Sequence, residues 1–202
     1  MMHTSITLLR QSRACAARYK RLVKHLGGVT KYGTDTPIPL TVVLESNGLD
    51  DALWCLRAVL PDEEERRNRL ARLLACDYVE HVLPLWESVY PADGRPRAGI
   101  ETARGFVLGQ VTPEMLAAAM KSAEAAIGDL RDAARDVAWV AWAAILVGRD
   151  ALWTGRVAWA TENVRYGEAA KDAEREWQAA CFLQYLNGEE ATAELVKGMM
   201  TP

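Results

Sequence analysis

The sequence predicts an all-α protein, a compact multi-helix bundle with one long irregular Pro/Gly loop near residues 27–39. Three observations carry that prediction. Apolar residues recur at steps of three and four through most of the chain. No segment alternates polar and apolar residues convincingly enough to be a strand. Helix punctuation is dense, with stops at Gly27-Gly28, Gly48 and Gly109 and starts at Pro61 and Pro113.

The first helix is expected over about 5–26. Leu9, Cys15, Tyr19, Leu22, Val23 and Leu26 recur near helical period, and Gly27-Gly28 supplies a left-handed stop. Residues 29–39 form the one irregular loop of any length: Pro37 and Pro39 prevent regular pairing, and Gly33 permits a turn. A short helix at about 40–46 and another at 49–59 are divided by Ser46-Asn47-Gly48. Asp50-Asp51 place favourable negative charge in the first turn of the second.

Pro61 then opens a long helix behind which Asp62, Glu63, Glu64 and Glu65 follow. Leu70, Leu73, Leu74, Val79, Val82 and Leu85 continue it, and Pro84 should kink it or end it locally because it removes a backbone donor. After a turn at 90–94, a helix over about 97–108 ends at Gly109. Thr112-Pro113-Glu114 is a strong start signal for a helix whose apolar steps reach Ile145. Its close, 139–147, is apolar on every face and belongs in the middle of a core. Further helices are expected over about 150–187, broken at Gly167, and over 189–198. Trp139, Trp142, Trp153, Trp159 and Trp177 fall where such helices bury them.

A chain of 202 residues builds one good core, so a single helical domain over 1–202 is expected, with a subdivision into 1–60 and 61–202 as the alternative. The formal charge of -3 gives no basic footprint for general nucleic-acid binding. The charge is uneven, however. Residues 1–32 carry Arg10, Arg13, Arg18, Lys20, Arg21, Lys24 and Lys31 and no acid, which reads either as a face for an acidic partner or as a solvated helix face beside acidic neighbours. DNA binding through this helix ranks last, because the rest of the chain is acidic.

The four cysteines are scattered without a CxxC, which fits four reduced core thiols in a cytoplasmic protein. Ile6-Thr7-Leu8-Leu9 is cut off by Arg10 before it resembles a signal peptide. The longest apolar run, 137–147, would span about 17 Å as a helix, short of the roughly 30 Å of a bilayer core, so no membrane partner is expected.

The chemistry-bearing residues concentrate near position 80. Asp77 and His81 are four apart and share a helical face, with Glu80 beside them, so Asp77 and His81 could ligate one metal or Asp77 could orient the imidazole. A dinuclear carboxylate site would need a second Glu-x-x-His, which the chain lacks. A buried His81 hydrogen-bonded to Asp77 is therefore the preferred reading. Arg95-Pro96-Arg97 opens a helix, where two guanidinium groups and exposed N–H donors could hold an anion, or simply pair with Asp93, Glu101 or the acidic cluster at 62–65. The glycines near 27–33 match neither a Rossmann nor a Walker A spacing, and no Gly-x-Ser-x-Gly or zinc-type cysteine cluster is present. Loop 29–39 reads equally as a contact surface or as a strap packed through Tyr32 and Ile38.

Ala75-Cys76-Asp77-Tyr78-Val79-Glu80-His81-Val82-Leu83-Pro84-Leu85-Trp86-Glu87, then Asp93-Gly94-Arg95-Pro96-Arg97-Ala98-Gly99-Ile100-Glu101-Thr102-Ala103-Arg104 and a later Glu176-Trp177-Gln178, resemble a bacterial family of immunity proteins related to the Imm-5-like domain, over about residues 71–185. The resemblance implies an intracellular helical protein that binds and neutralises a toxin. Lys31-Tyr32-Gly33, Asp35-Thr36-Pro37-Ile38-Pro39-Leu40 and Asn47-Gly48-Leu49-Asp50-Asp51-Ala52-Leu53-Trp54 resemble proteins of tailed phages and prophages, and no function comes with that similarity.

The expectation is thus a non-enzymatic, cytoplasmic protein without a cofactor, whose partner is another protein (a toxin or a host or defence factor) and whose homo-oligomeric state is open. Tyr32, Asp35, Arg95 and Arg97 are the candidate partner-binding residues. An enzyme using Asp77, Glu80 and His81, with or without a metal on Asp77 and His81, is the alternative.

Overall fold

A computed structural model of the chain describes residues 2–128, 153–164 and 167–188. Among these residues the protein is all-α, as the periodicity predicts, apart from one pair of two-residue strands. The expected apolar stretch at 137–147, with Trp139 and Trp142, and the expected helix at 189–198 lie outside the described residues. The chain divides into two compact units: Met1–Asn68 with the chain from Ala179 onward, and Arg69–Gln178.

In the N-terminal unit, β1 (His3–Thr4) pairs antiparallel with β2 (Ile38–Pro39), His3 opposite Pro39 and Thr4 opposite Ile38. The two prolines were expected to forbid pairing. The bridge survives because it is only two residues long and its flanking donor is Leu40 N–H, 2.9 Å from the Met2 carbonyl, so Pro39 needs no hydrogen. Met2, Ile6, Ile38 and Leu40 are fully buried around it.

The single helix expected over 5–26 is two helices, α1 (Ile6–Gln11) and α2 (Ala16–His25). Ser5 caps α1 by accepting the Leu8 N–H at 3.2 Å. The helix closes with Arg13 N–H on the Arg10 carbonyl and Ala14 N–H on the Leu9 carbonyl, a Schellman arrangement in which Arg13 takes φ 58°. That position usually belongs to glycine, so no stop signal marks it in the sequence. α2 ends as expected, with Gly27 and Gly28 both at positive φ.

Inside the expected irregular loop sits one helical turn, α3 (Val29–Tyr32). α4 (Leu40–Asn47) and α5 (Leu49–Trp54) meet at Gly48, φ 90°. The α-helix expected to reach residue 59 stops at Trp54 and tightens into a 3₁₀ turn at Cys55–Ala58, followed by another at Pro61–Glu63.

α6 (Glu64–Val89) runs through Pro84 without ending there. Pro84 is exposed, and one missing donor in a 26-residue helix does not offset the burial of Leu70, Leu74, Tyr78, Val82 and Trp86, which line one face at steps of four. α7 (Arg95–Val107) starts two residues before the expected position and packs on α8 (Pro113–Gly128), whose first turn is capped by Thr112 Oγ1 accepting Met115 N–H. α9 (Thr154–Asn163) and α10 (Glu168–Leu186) follow, with Gly167 at φ 84° before the latter. Two burial expectations fail. Cys15 is exposed while Cys55, Cys76 and Cys181 are buried, and Trp159 is half exposed. No described helix is long and apolar enough to cross a membrane.

Candidate functional site

The Asp77–Glu80–His81 cluster is divided by what packs on each side of α6. Arg104 of α7 takes the two acids: its Nη1 lies 2.9 Å from Asp77 Oδ1 and its Nη2 2.5 Å from Glu80 Oε2. Asp77 and Glu80 are three apart on the helix, so one guanidinium spans both. Asp77 is buried, and its carboxylate helps hold the Arg104 pKa above the ordinary value against the opposing effect of burial.

His81 has a different carboxylate. Its Nδ1 lies 2.9 Å from Oε2 of Glu174 on α10, and its ring stacks on Trp177 with centroids 3.7 Å apart and 12° between planes. The expected Asp77–His81 pair is corrected accordingly. A spacing of four places two side chains on one side of a helix, but the wide polar stripe of α6 meets Arg104 at one edge and Glu174 at the other.

The contact with His81 is the entrance to a buried polar chain. Glu174 Oε1 accepts from Gln178 Nε2 at 3.1 Å, and that amide also reaches Thr161 Oγ1 at 3.0 Å and the Ala158 carbonyl at 3.1 Å. Thr161 in turn donates within α9, and the Tyr78 hydroxyl donates to the Gln178 carbonyl at 2.9 Å. Glu174, Thr161, Gln178 and Tyr78 are all essentially inaccessible to solvent. Hydrogen bonding is what makes such burial tolerable, and the chain ties α6, α9 and α10 into one register. Among the described residues no group of three or more His, Cys, Asp or Glu side chains is arranged to hold a metal.

Sequence reasoning missed Arg104 and Glu174 as members of this site. A signal for Glu174 exists: Glu174, Gln178, Cys181 and Tyr185 share one helical face, so two polar residues sit on an otherwise apolar stripe. Nothing comparable singles out Arg104, which in the sequence looks the same as any solvated helical arginine.

Arg95 and Arg97 open α7, directly after the turn that follows α6. Asp93 grips Arg95 with both oxygens, at 2.8 Å to Nε and 2.6 Å to Nη2, and also accepts the Arg95 backbone N–H at 3.1 Å. That carboxylate occupies the first free donor of α7, where an anion was considered, and the Arg95 guanidinium holds it below the usual carboxylate range. Arg97 forks onto Glu87 at 2.5 and 2.9 Å, which lowers the Glu87 pKa in the same way. Both ion pairs are partly exposed, beside the half-exposed Val89.

Tyr32 and Asp35 belong to the N-terminal unit. The Tyr32 hydroxyl donates to the Pro37 carbonyl at 2.9 Å, and Thr36 Oγ1 donates to the Tyr32 carbonyl at 2.8 Å, so the turn is closed on itself. Gly33 is required there: at φ 95°, an added Cβ would lie 2.7 Å from Thr36 Oγ1. Asp35 stands exposed, its pKa lowered by the hydroxyls of Thr7 and Thr34.

Residues 62–184 match the family described as Imm-5 like putative immunity protein. No curated protein and no solved structure matches the chain. The matched stretch is more than half the chain and contains Arg104 with its two acids, the Glu174 network, and the Arg95 and Arg97 ion pairs. The chain belongs to the Imm-5-like immunity protein family.

Proposed function

We propose that this protein acts without catalysis, as an immunity-like inhibitor that binds a toxin or a host or defence protein in the cytoplasm and blocks it by steric occlusion. The family match over residues 62–184 carries this reading. The turn between α6 and α7 supports a contact role: Val89 offers apolar area, and Arg95 and Arg97 stay partly exposed within their ion pairs to Asp93 and Glu87, where a partner's carboxylate can compete for them. Tyr32 and Asp35 form a second candidate contact. An acid–base role for Asp77, Glu80 and His81 has less behind it, since Arg104 holds the two acids and Glu174 the imidazole.

The test is capture of the partner by tagged protein from its host's lysate, followed by reconstitution of a stoichiometric complex from purified components and assay of the partner's activity. Inhibition at one equivalent, lost in an Arg95→Glu/Arg97→Glu variant that keeps its melting temperature, is the expected result. A protein that forms no stoichiometric complex overturns the reading. Tyr32→Ala should weaken the complex and leave the melting temperature within a few degrees. A sharp fall in melting temperature would instead make the loop a structural strap, because the Tyr32–Pro37 bond is lost with it.

A further inference from the structure

A hollow among α1, α2, α4 and α5 lies in the N-terminal unit, ahead of the matched stretch, and the immunity reading does not use it. Its volume is about 110 Å³, and Leu9, Leu22 and Val43 with the rings of Tyr19 and Trp54 give it apolar walls. Only two charged side chains line it, and they meet each other: Asp51 is engaged by Arg18 at 2.5 Å, and by Asn47 Nδ2 at 2.7 Å. A charged ligand therefore finds no spare counter-charge in the lining.

Two thiols line the same hollow, in opposite states. Cys15 is exposed and is the N-cap of α2, where the backbone N–H groups of Arg18 and Ala17 hold its pKa below the ordinary value and favour the nucleophilic thiolate. Cys55 is 3% exposed, and burial pushes it up to about 12, so it stays protonated at neutral pH. Among the described residues the Cys55 sulfur has no hydrogen-bond partner, so the wall of the hollow contains an S–H donor that nothing in the chain meets. The lining thus asks for an uncharged molecule with an apolar body, an electrophilic carbon for Cys15 and an acceptor oxygen for Cys55. A plain hydrocarbon would leave both sulfurs unused.

We propose that the hollow takes up a small, uncharged α,β-unsaturated carbonyl compound and that Cys15 adds to it. The Cys15 sulfur bonds to the β-carbon, and the C=C π pair shifts toward the carbonyl oxygen. The resulting enolate takes back through water, at its α-carbon, the proton the thiol gave up. Nothing is oxidised, reduced or released, and the whole molecule stays attached with its body between Tyr19, Leu22 and Trp54. Size agrees: a closed apolar cavity of about 150 Å³ holds a benzene ring, so a somewhat smaller hollow that opens at Cys15 holds most of a six-membered ring.

The test is the rate of addition at Cys15 of the full chain, read by peptide mass spectrometry, for 2-cyclohexen-1-one, acrylamide and fumarate. Each rate is divided by that of the same reagent with N-acetylcysteine, which removes the reagent's own reactivity; the lowered thiol pKa raises all three alike. Acrylamide undergoes the same addition but brings no body, and fumarate brings two negative charges. The expected normalised rate for cyclohexenone is at least roughly tenfold above that for acrylamide and saturates with concentration. The ¹⁵N-labelled adduct should show shifted amides at Leu22 and Trp54, across the hollow from the new bond. Ala14→Leu, which narrows the hollow from its edge, should bring the two normalised rates together. If that variant melts lower than the wild type, the wild-type adduct decides: shifts confined to residues 14–18 put the ring in solvent and overturn the proposal. Equal normalised rates, a faster normalised reaction with fumarate, or addition at another cysteine overturn it as well.

Discussion

The His3–Glu63 pair of the N-terminal unit and the His81–Glu174 pair of the family region bring an imidazole Nδ1 to 2.8 and 2.9 Å from a glutamate oxygen. At the contact they are alike. Around it they differ in every respect. His3 and Glu63 keep 29% and 15% of their side-chain surface, and the second Glu63 oxygen simply returns to the His3 backbone N–H at 2.6 Å. His81 keeps 15% and Glu174 none, the ring is stacked on Trp177, and the second Glu174 oxygen passes the chain on to Gln178. One pair is closed and wet at its edge, and the other is the first link of a dry network. Distance alone does not set what such a contact contributes; the fate of the remaining atoms does.

The comparison breaks most readily at the glutamates. Glu174→Ala removes an acceptor from His81 and from Gln178 in a site water does not reach, and should destabilise the protein by roughly 3–5 kcal/mol. Glu63→Ala, at a pair that water can replace in part, should cost about 1 kcal/mol or less. Urea unfolding of both variants, followed by fluorescence and circular dichroism together, measures the difference. Equal losses would mean that the buried chain adds nothing beyond its first contact.

How far these features can be read from the sequence also differs between the two regions. The all-α class and most helix ends are legible because they depend on local periodicity and on glycines at Gly27, Gly48, Gly109 and Gly167, each of which adopts positive φ. The break at Arg13 is not, because a residue with a side chain takes the left-handed position that glycine usually marks. The β1–β2 bridge is too short to produce alternation. At the candidate site, the sequence places Asp77, Glu80 and His81 on one stretch of helix, but Arg104 lies 24 residues from Glu80 and Glu174 lies 93 residues from His81. Spacing along a helix says which side chains are neighbours. It does not say which distant helix arrives to face them.

The thiols sharpen the contrast between dry and wet positions. Burial pushes both Cys55 and Cys76 up to about 12, whereas Cys15, fully exposed at the start of α2, is held below its ordinary value by the backbone N–H groups of Arg18 and Ala17. For the buried pair the folded pKa lies above the unfolded one. Their contribution is therefore complete below the ordinary thiol pKa near 9 and drains away as pH rises through it toward 12. By about pH 10.5 each should have withdrawn roughly 2 kcal/mol. Cys76→Ala should flatten the alkaline limb of the stability curve even though it lowers stability at neutral pH by lost packing. Iodoacetamide at neutral pH should label Cys15 first and leave Cys55 and Cys76 until the protein unfolds. Early labelling of Cys76 would show that α6 is not closed as described.

The smallest effect expected belongs to Arg97 and Glu87, which meet in a two-bond fork and whose side chains retain 42% and 36% of their surface. Solvent screening at that exposure limits the pair to about 0.2–1 kcal/mol. Because Arg97 lowers the Glu87 pKa, the contribution is present above the ordinary carboxylate range and is lost as pH falls through the depressed folded value. A double-mutant cycle of Glu87→Gln and Arg97→Ala at pH 7 and again near pH 3 reads both the size and the sign. A coupling below 1 kcal/mol that shrinks on acidification agrees with an ion pair that holds the turn only loosely and can be exchanged for a partner's carboxylate. A coupling of several kcal/mol, undiminished by acid, would make Arg97 part of the fold and remove it from the contact surface.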